Sequence, residues 1–562
     1  MTTADDRISR IEAARAAEVE PPAVNNWGRR HADFPAPSYT AGQDLYSVSA
    51  LATWLDSRRI PRNALHSKEP LGTTYGQRFR KNLDLPSPTP TERVPQHSVM
   101  QTDDALAKNL WDPLEKIWGT VDFGTNLELV LSLLDLRRSD TIHWKQLTST
   151  KGRIGDFLGK VLPRQVERSP GLSGVYAGIR QERWPDEDLT QLITIIERAA
   201  PRESPDTITG DTFEAAACRF LLEKVAAAHG RRGKEYFTPP PATRVIMELI
   251  DPQPGERICD PCCGTGELLV AAGIHARQAD RATPDPQLRG YALDHQSWRL
   301  ATLNAAIHGL TVDLGGHPIK PLWLRHSPAV HDVVVMNPPF NTSGWSDGDP
   351  AEQPYWEYGP PPGHNANFAW LQYAVSILDE GGRAAVVMPT IAATINKAGE
   401  GAIRAAMITR GVVRCIIALP DRLFRETSIP VALWILGRPT NSQHDVLFID
   451  AHRTGVIVDR THRVLADADH AQITSAYQDW LRSPPGTYTG VADFAATATP
   501  SQIRDHGYQL NPATYLTTDP PAIDLHDTIA TLRALQQELD YQHEQAAYAD
   551  NAVARHLRWI NL

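Results

Sequence analysis

Val333-Val334-Val335-Met336-Asn337-Pro338-Pro339-Phe340 organises the reading of this chain. The four apolar residues, rich in β-branched side chains, read as a buried parallel strand. Asn337 to Phe340 then sits at a strand's carboxyl end, the edge where open α/β sheets bind ligands. Pro338 and Pro339 stiffen the backbone and remove two N–H donors, leaving a turn rich in acceptors. Such a turn suits methylation of a planar exocyclic amine. The nitrogen lone pair is delocalised until acceptors draw its protons toward a tetrahedral arrangement, and Asn337 Oδ1 and the Pro338 carbonyl supply two acceptors. Phe340 is placed to stack on a flat base extruded from a duplex. The plain alternative is a surface Pro-Pro turn that packs a Phe against the core.

Outward from this turn, about 229 to 485, short β-rich runs alternate with helical segments, which predicts a doubly wound parallel sheet. The expected strands are Arg257 to Cys259, Gly290 to Leu293, Val333 to Met336, Ala384 to Met388, Val413 to Leu419 and Val431 to Leu436. Between the first two lies Asp260-Pro261-Cys262-Cys263-Gly264-Thr265-Gly266-Glu267, which follows a strand and opens a helix. Gly264 and Gly266 permit a tight turn and close approach of a ligand to helix N–H groups. It is a nucleoside-cofactor loop without the GxGxxG fingerprint or the Lys-Ser/Thr of a triphosphate loop. Adjacent Cys262 and Cys263 do not make a CxxC pair and Cys259 to Cys262 lacks a second pair, so no metal is expected. About twenty residues upstream of the loop, Glu235-Tyr236-Phe237-Thr238-Pro239-Pro240 offers rigid prolines and an aromatic pair to close over a cofactor tail.

These three stretches together resemble the modification (methyltransferase) subunits of type I restriction-modification systems, the amino-adenine DNA methyltransferases. YFTP, DPxxGxG and NPPF stand there in the same order. Tyr358 to Pro361, Asn365 to Gln372, Gly399 to Arg404, Ala418 to Pro420, Ile429 to Trp434 and Gly507 to Pro512 also look like family segments, so the likeness spans about 230 to 515. The resemblance implies a Rossmann-like class I methyltransferase sheet that takes S-adenosylmethionine. Glu235, Tyr236, Phe237, Thr238, Pro239, Pro240, Asp260, Pro261, Cys262, Cys263, Gly264 and Gly266 would hold that cofactor. Asn337, Pro338, Pro339 and Phe340 would receive adenine N6. It further implies double-stranded DNA, a DNA specificity subunit and a restriction or translocase subunit as partners.

Two departures from the family pattern stand out. Ala292 falls where the family usually carries Glu for the ribose hydroxyls; Asp294, two residues on, would share its strand face if the strand continues. Leu314 to His331 contains no acidic residue where one is usual near the third strand. These departures keep open a catalytically silent scaffold that retains the fold and a DNA path. Methylation of a protein glutamine amide is a third reading, which the long segment from Asn365 to Trp434 argues against.

The remaining chain sets bounds. With 562 residues, 41% hydrophobic and 22% charged, it is an ordinary globular protein with room for several domains. No apolar run approaches the ~20 residues of a membrane span. Five cysteines and no secretory signal in Met1 to Glu20 point to a cytoplasmic protein. A net charge of −10 argues against gripping DNA unaided. In the region 1–95, Ser47 caps a helix carrying Val48, Leu51, Trp54 and Leu55; Arg58, Arg59, Arg62, Arg78, Arg80 and Lys81 make either a small DNA-touching module or a solvated basic helix end. Leu85 to Pro95 reads as a Pro-rich linker. Periodic Leu106, Leu110, Leu114 and Ile117, and later Phe213, Ala217, Phe220, Leu221 and Val225, predict a helical domain over 96–228. The segment 486–562 ends in a helix with Leu525, Leu532, Leu539, Ala546 and Val553 seven apart, a seam suited either to docking on a partner or to packing back on its own domain. Too little chain follows the sheet for a separate target-recognition domain, so specificity is expected from another protein.

Overall fold

The structure, a computed structural model, describes residues 7–19, 38–40, 43–56, 74–83, 106–118, 123–168, 170–176, 184–200, 212–229, 237–279, 283–315, 331–346, 349–352, 356–397, 399–424, 429–439, 445–459 and 462–516, with a few single positions besides. Glu235, Tyr236, the linker Leu85 to Pro95 and the terminal heptads lie outside these residues. The chain forms two compact units, Met1–Thr102 and Asp103–Leu562. Among the described residues no helix is long and apolar enough to cross a membrane.

In the first unit, β1 (Arg7–Ser9), β2 (Ser38–Thr40) and β3 (Gln43–Ser47) form an antiparallel sheet in the order β1-β3-β2. Ser47 Oγ accepts from Ala50 N as expected, and the helix Val48–Asp56 buries Leu51, Trp54 and Leu55. Two of the basic side chains are engaged within the unit. Arg58 lies 4.3 Å over the Trp54 ring, and Arg78, 5% exposed, sits 3.6 Å from Glu18.

The second unit is built on one nine-stranded sheet. Its strands are β4 (Arg257–Asp260), β5 (Gln287–Gly290), β6 (Val312–Asp313), β7 (His331–Met336), β8 (Leu378–Pro389), β9 (Val413–Ala418), β10 (Val431–Gly437), β11 (Val446–Asp450) and β14 (Ala495–Ala498). A hairpin, β12 (Val456–Asp459) with β13 (His462–Val464), stands apart. The order across the sheet is β14-β11-β9-β10-β8-β7-β4-β5-β6. Strands β6, β5, β4, β7 and β8 run parallel, and β10 enters antiparallel between β8 and β9. From β4 the chain steps outward to β5 and β6, then returns to the other side of β4 as β7. The strand order reverses there, so a crevice opens between the carboxyl ends of β4 and β7.

The alternation of side chains divides the core cleanly. Val333, Val335, Ala385, Val387, Leu433 and Ile435 face one hydrophobic cluster, and Val334, Met336, Ala384, Val386, Ala432 and Trp434 face the other. Both faces are apolar because both are covered by helices. Helices Pro240–Ile250, Glu267–Ala279 and His295–Ile307 belong to the first face, and Asn367–Ser376 and Glu400–Thr409 to the second.

Three expectations change. The strand expected at Gly290 to Leu293 is Gln287–Gly290. Tyr291 still bonds to its neighbours, its N donating to Asp260 O at 3.1 Å, but Asp294 is already the cap of the next helix, accepting from Gln296 N and Ser297 N at 2.8 and 2.9 Å. The sheet also runs past 485, because β14 closes its edge on β11. The helices of 106–229 are present, but they share a core with the sheet: Leu127, Val130, Leu134, Ala217 and Leu221 join the cluster that holds Leu300, Leu303 and Val333.

Two contacts tie that helical layer to the helix His295–Ile307. Arg138 Nη2 donates to Ala306 O at 2.6 Å, and Arg299 Nε donates to Glu128 Oε2 at 2.8 Å, with the Glu128 side chain only 3% exposed. Removing one partner of such a pair strands a buried charge. Arg299→Ala is therefore expected to lower the free energy of unfolding by about 3 kcal/mol in denaturant titration, and Arg299→Met combined with Glu128→Leu to recover most of that loss.

Candidate active site

The register of β4 and β7 brings two of the sequence motifs to one edge. Ile258 pairs with Val333 and Cys259 with Val334, so the carboxyl ends of the two strands, Asp260 and Met336, lie on neighbouring strands about 5 Å apart. The glycine loop and the proline turn therefore leave the sheet side by side.

The loop is held by its own backbone. Cys262 N donates to Asp260 Oδ1 at 3.0 Å, Cys263 N to Tyr291 O at 3.0 Å, and Gly266 N to Cys263 O at 2.7 Å. Gly264 (φ +52°) and Gly266 (φ +85°) occupy the left-handed region that glycine adopts without cost. A Cβ on Gly266 would also meet the Ala301 Cβ at 3.3 Å, so the loop presses on the helix His295–Ile307. That helix answers with a hydrogen bond from Asn304 Nδ2 to Thr265 O at 2.9 Å. Pro261, Cys262 and Cys263 are buried, and burial pushes both thiols well above the usual thiol range. They line the loop as neutral groups. Among the described residues no group of three or more His, Cys, Asp or Glu converges as metal ligands would.

Phe237, Thr238 and Pro239 are buried beside the proline turn, and Pro240 opens the helix Pro240–Ile250, where a missing N–H costs nothing. Asn337, 5% exposed, continues the face of Val333 and Val335, and its Nδ2 donates to Thr238 Oγ1 at 3.1 Å. This bond joins the first expected cofactor stretch to the expected catalytic turn. With Nδ2 engaged, Asn337 Oδ1 is buried and has no partner among the described residues. The Pro338 carbonyl likewise receives no donor among them. An unsatisfied buried acceptor costs about 1–3 kcal/mol, so Asn337 Oδ1, with the Pro338 carbonyl next to it in the chain, marks a place for a ligand that donates N–H groups.

Phe340 differs from expectation. It is 6% exposed and belongs to the first core cluster, so its ring supports the turn from beneath instead of standing open as a stacking face. Asp294 differs too, since its carboxylate serves the helix start and also accepts from Ser297 Oγ at 2.6 Å. Ala292 is buried just beyond β5.

Residues that spacing did not single out complete the turn. Asn341 has φ +53°, and its N donates to Asn367 Oδ1 at 2.9 Å while Asn367 Nδ2 donates back to Asn341 Oδ1 at 2.9 Å. The segment Asn365 to Gln372 was visible as a motif, but its partner lies 26 residues away and only the fold joins them.

A doubly wound sheet with its cofactor-type loop and an acceptor-rich proline turn on one crevice defines a class I methyltransferase acting on an amino group. The family model of N-6 DNA methylases matches residues 206–522, and the chain belongs to that family of adenine-specific, S-adenosylmethionine-dependent enzymes. It is 32% identical over 335 residues to the type I restriction enzyme HindI methylase subunit of Haemophilus influenzae, covering 59% of this chain and 74% of that one. It is 28% identical over 309 residues to the MjaIX methylase subunit of Methanocaldococcus jannaschii, covering 53% and 54%. The solved methyltransferase subunit of a type I restriction-modification system from Streptococcus thermophilus shares the fold, with a TM-score of 0.56 at 20% identity over 75% of this chain and 100% of that one.

Burial pushes the Asp260 carboxyl up to about 7, against the opposing pull of the Cys262 N–H. The native state then holds this proton more tightly than the unfolded chain, whose Asp titrates near 3.8. Stability from this group is greatest at low pH, falls as pH rises between those two values and levels off above the upper one. Asp260→Asn is expected to flatten that part of the stability profile, read as the denaturant midpoint at intervals from pH 5 to pH 8.

Proposed function

We propose that this chain is the modification subunit of a restriction-modification complex and methylates adenine N6 at the crevice between β4 and β7. The observation that carries the reading is the buried, unsatisfied Asn337 Oδ1, held by Thr238 at the mouth of β7 beside the Asp260 to Gly266 loop.

In this reading Glu235, Tyr236, Phe237, Thr238, Pro239, Pro240, Asp260, Pro261, Cys262, Cys263, Gly264 and Gly266 hold S-adenosylmethionine, with Asp294 near its adenosyl end. The fit is supported by the left-handed glycines, the outward N–H groups at the head of Glu267–Ala279 and the neutral walls of Cys262 and Cys263. The bound cofactor supplies an electrophilic methyl on sulfur. Asn337 Oδ1 and the Pro338 carbonyl would accept hydrogen bonds from the two N6–H groups and turn the nitrogen lone pair out of the ring plane; as the N–C bond forms and the S–C bond breaks, one N6 proton passes to solvent and the other stays on the methylated amine. Pro339 keeps the turn from yielding, and Phe340, packed in the core, holds the turn in place from behind. The amine proton becomes acidic only as the N–C bond forms, so orientation and placed acceptors supply the rate, and no strong base is required.

The altered acidic positions favoured a silent scaffold. The buried, unpartnered Asn337 Oδ1 favours catalysis, because a scaffold has no reason to bear the cost of leaving it unsatisfied. The relatives are methylase subunits of type I restriction enzymes, which supports double-stranded DNA, a specificity subunit and a restriction or translocase subunit as partners here. We infer a cytoplasmic location from the proposed action on chromosomal DNA.

Adenine methylation at a defined motif in genomic DNA is expected in cells with the intact operon and is expected to vanish with Asn337→Ala, while calorimetry shows S-adenosylmethionine still bound. Methylation that survives the substitution overturns the assignment. The heptad spacing of Leu525, Leu532 and Leu539 suits docking on a partner's helices. Truncation before Leu525 is expected to lose the accompanying subunit from the purified complex, and a complex that persists removes the tail from this role.

A further inference from the structure

We propose that Asn367 is a positioning residue for methyl transfer: it sets the direction of the Asn337 and Pro338 acceptors by clamping Asn341, and Asn365 and Glu400 hold it to that task. The inference rests on the reading of Asn337 as the acceptor of the amine.

The turn needs a second anchor. Thr238 fixes Asn337 from the first face of the sheet, but one hydrogen bond leaves the chain beyond Pro339 free to swing. On the opposite face the turn is stitched to the head of the helix Asn367–Ser376. Asn341 and Asn367 exchange two hydrogen bonds, each 2.9 Å, and Ala366 N donates to Thr342 O at 3.0 Å. Thr342 Oγ1 closes back on Pro339 O at 3.2 Å. Asn341 stands at φ +53°, a left-handed conformation that Asn tolerates and β-branched residues do not. The clamp therefore uses an Asn at both ends for different reasons, backbone geometry at one and a two-headed amide at the other.

Behind the clamp the amides are aligned one by one. Asn365 Oδ1 accepts from Asn367 N at 3.0 Å, and Asn365 Nδ2 donates to Glu400 Oε1 at 3.1 Å. Asn367 is 1% exposed, Asn365 8% and Glu400 fully buried. A buried carboxylate accepts only, so it dictates which end of Asn365 points toward Asn367. One turn further along the same helix, Arg404 donates to Tyr508 O at 2.6 Å, to Ile395 O at 2.6 Å and to Asn396 Oδ1 at 2.7 Å. Glu400, Asn365 and Asn367 thus form one relay of fixed dipoles ending at Asn341 beside the proline turn, and Arg404 pins the helix that carries Glu400. Asn365, Asn367, Glu400 and Arg404 are all buried. Their effect on the reaction runs through the angle at which Asn337 and Pro338 present their oxygens.

A merely structural relay would show its loss as lower stability or weaker binding. A positioning relay shows it in the chemical step, where a displacement of about 1 Å costs about a hundredfold. The test is single-turnover transfer of labelled methyl from S-adenosylmethionine to genomic DNA of a strain deleted for this chain, using the full chain purified with its accompanying proteins. Asn367→Ala is expected to slow transfer about a hundredfold. Asn341→Gly, which keeps the left-handed backbone and the N–H but loses the side-chain half of the clamp, is expected to slow it about tenfold. For both, S-adenosylmethionine affinity by calorimetry and the melting temperature stay near those of the unmodified complex. A rate unchanged in Asn367→Ala overturns the inference, as does a loss of rate matched by a loss of cofactor affinity. If Asn367→Ala does not fold, the Asn341→Gly rate alone decides. Absence of transfer from the unmodified complex overturns the reading of the site, and the inference with it.

Discussion

The side-chain amide of Asn337 is the interaction on which the rest of the crevice depends. One end is spent on Thr238, and the other is buried and left without a partner. Folding normally removes such an atom by pairing it or exposing it to water. Here the two prolines that follow remove nearby donors, and the strand that precedes it is buried on both faces, so neither remedy is at hand. The cost, about 1–3 kcal/mol, falls on a domain whose large apolar core can bear it. What the chain gains is an acceptor that water does not saturate, ready for an incoming N–H.

Much of the molecule holds the two lips of this crevice still. The glycine loop is pressed from behind by Ala301 and Asn304 on the helix His295–Ile307. That helix is itself held by Arg138 and by the Arg299–Glu128 pair of the helical layer, which shares its apolar cluster with the sheet. On the other face, Asn367 and its neighbours grip the proline turn. Both lips are therefore braced by the layers on either face of the sheet.

Asp294 shows how a local hydrogen-bond demand overrides a strand-pattern argument. Alternation along β5 would have set its carboxylate beside Ala292's face. The strand ends at Gly290, and the nearest unsatisfied donors are the first N–H groups of the next helix. Two backbone N–H groups and the Ser297 hydroxyl take up most of the roughly four lone-pair sites of the carboxylate. Phe340 is a parallel case: a ring at a turn was read as an open stacking face, but its apolar area is worth more against the core than in water.

The sequence by itself determined the class of fold, the position of the glycine loop, the proline turn and most of the strands. Those features are local: β-branched runs, glycines at forced dihedrals and prolines without N–H groups act over a few residues. Only the tertiary structure decided that Thr238 meets Asn337 across 99 residues, that Asn367 clamps Asn341, and that the helical segment completes the sheet's own core. Each of these depends on strand order and on which face a side chain reaches once β7 lies beside β4. Pairing of that kind is set by the packing of the whole sheet, and no window along the chain contains it.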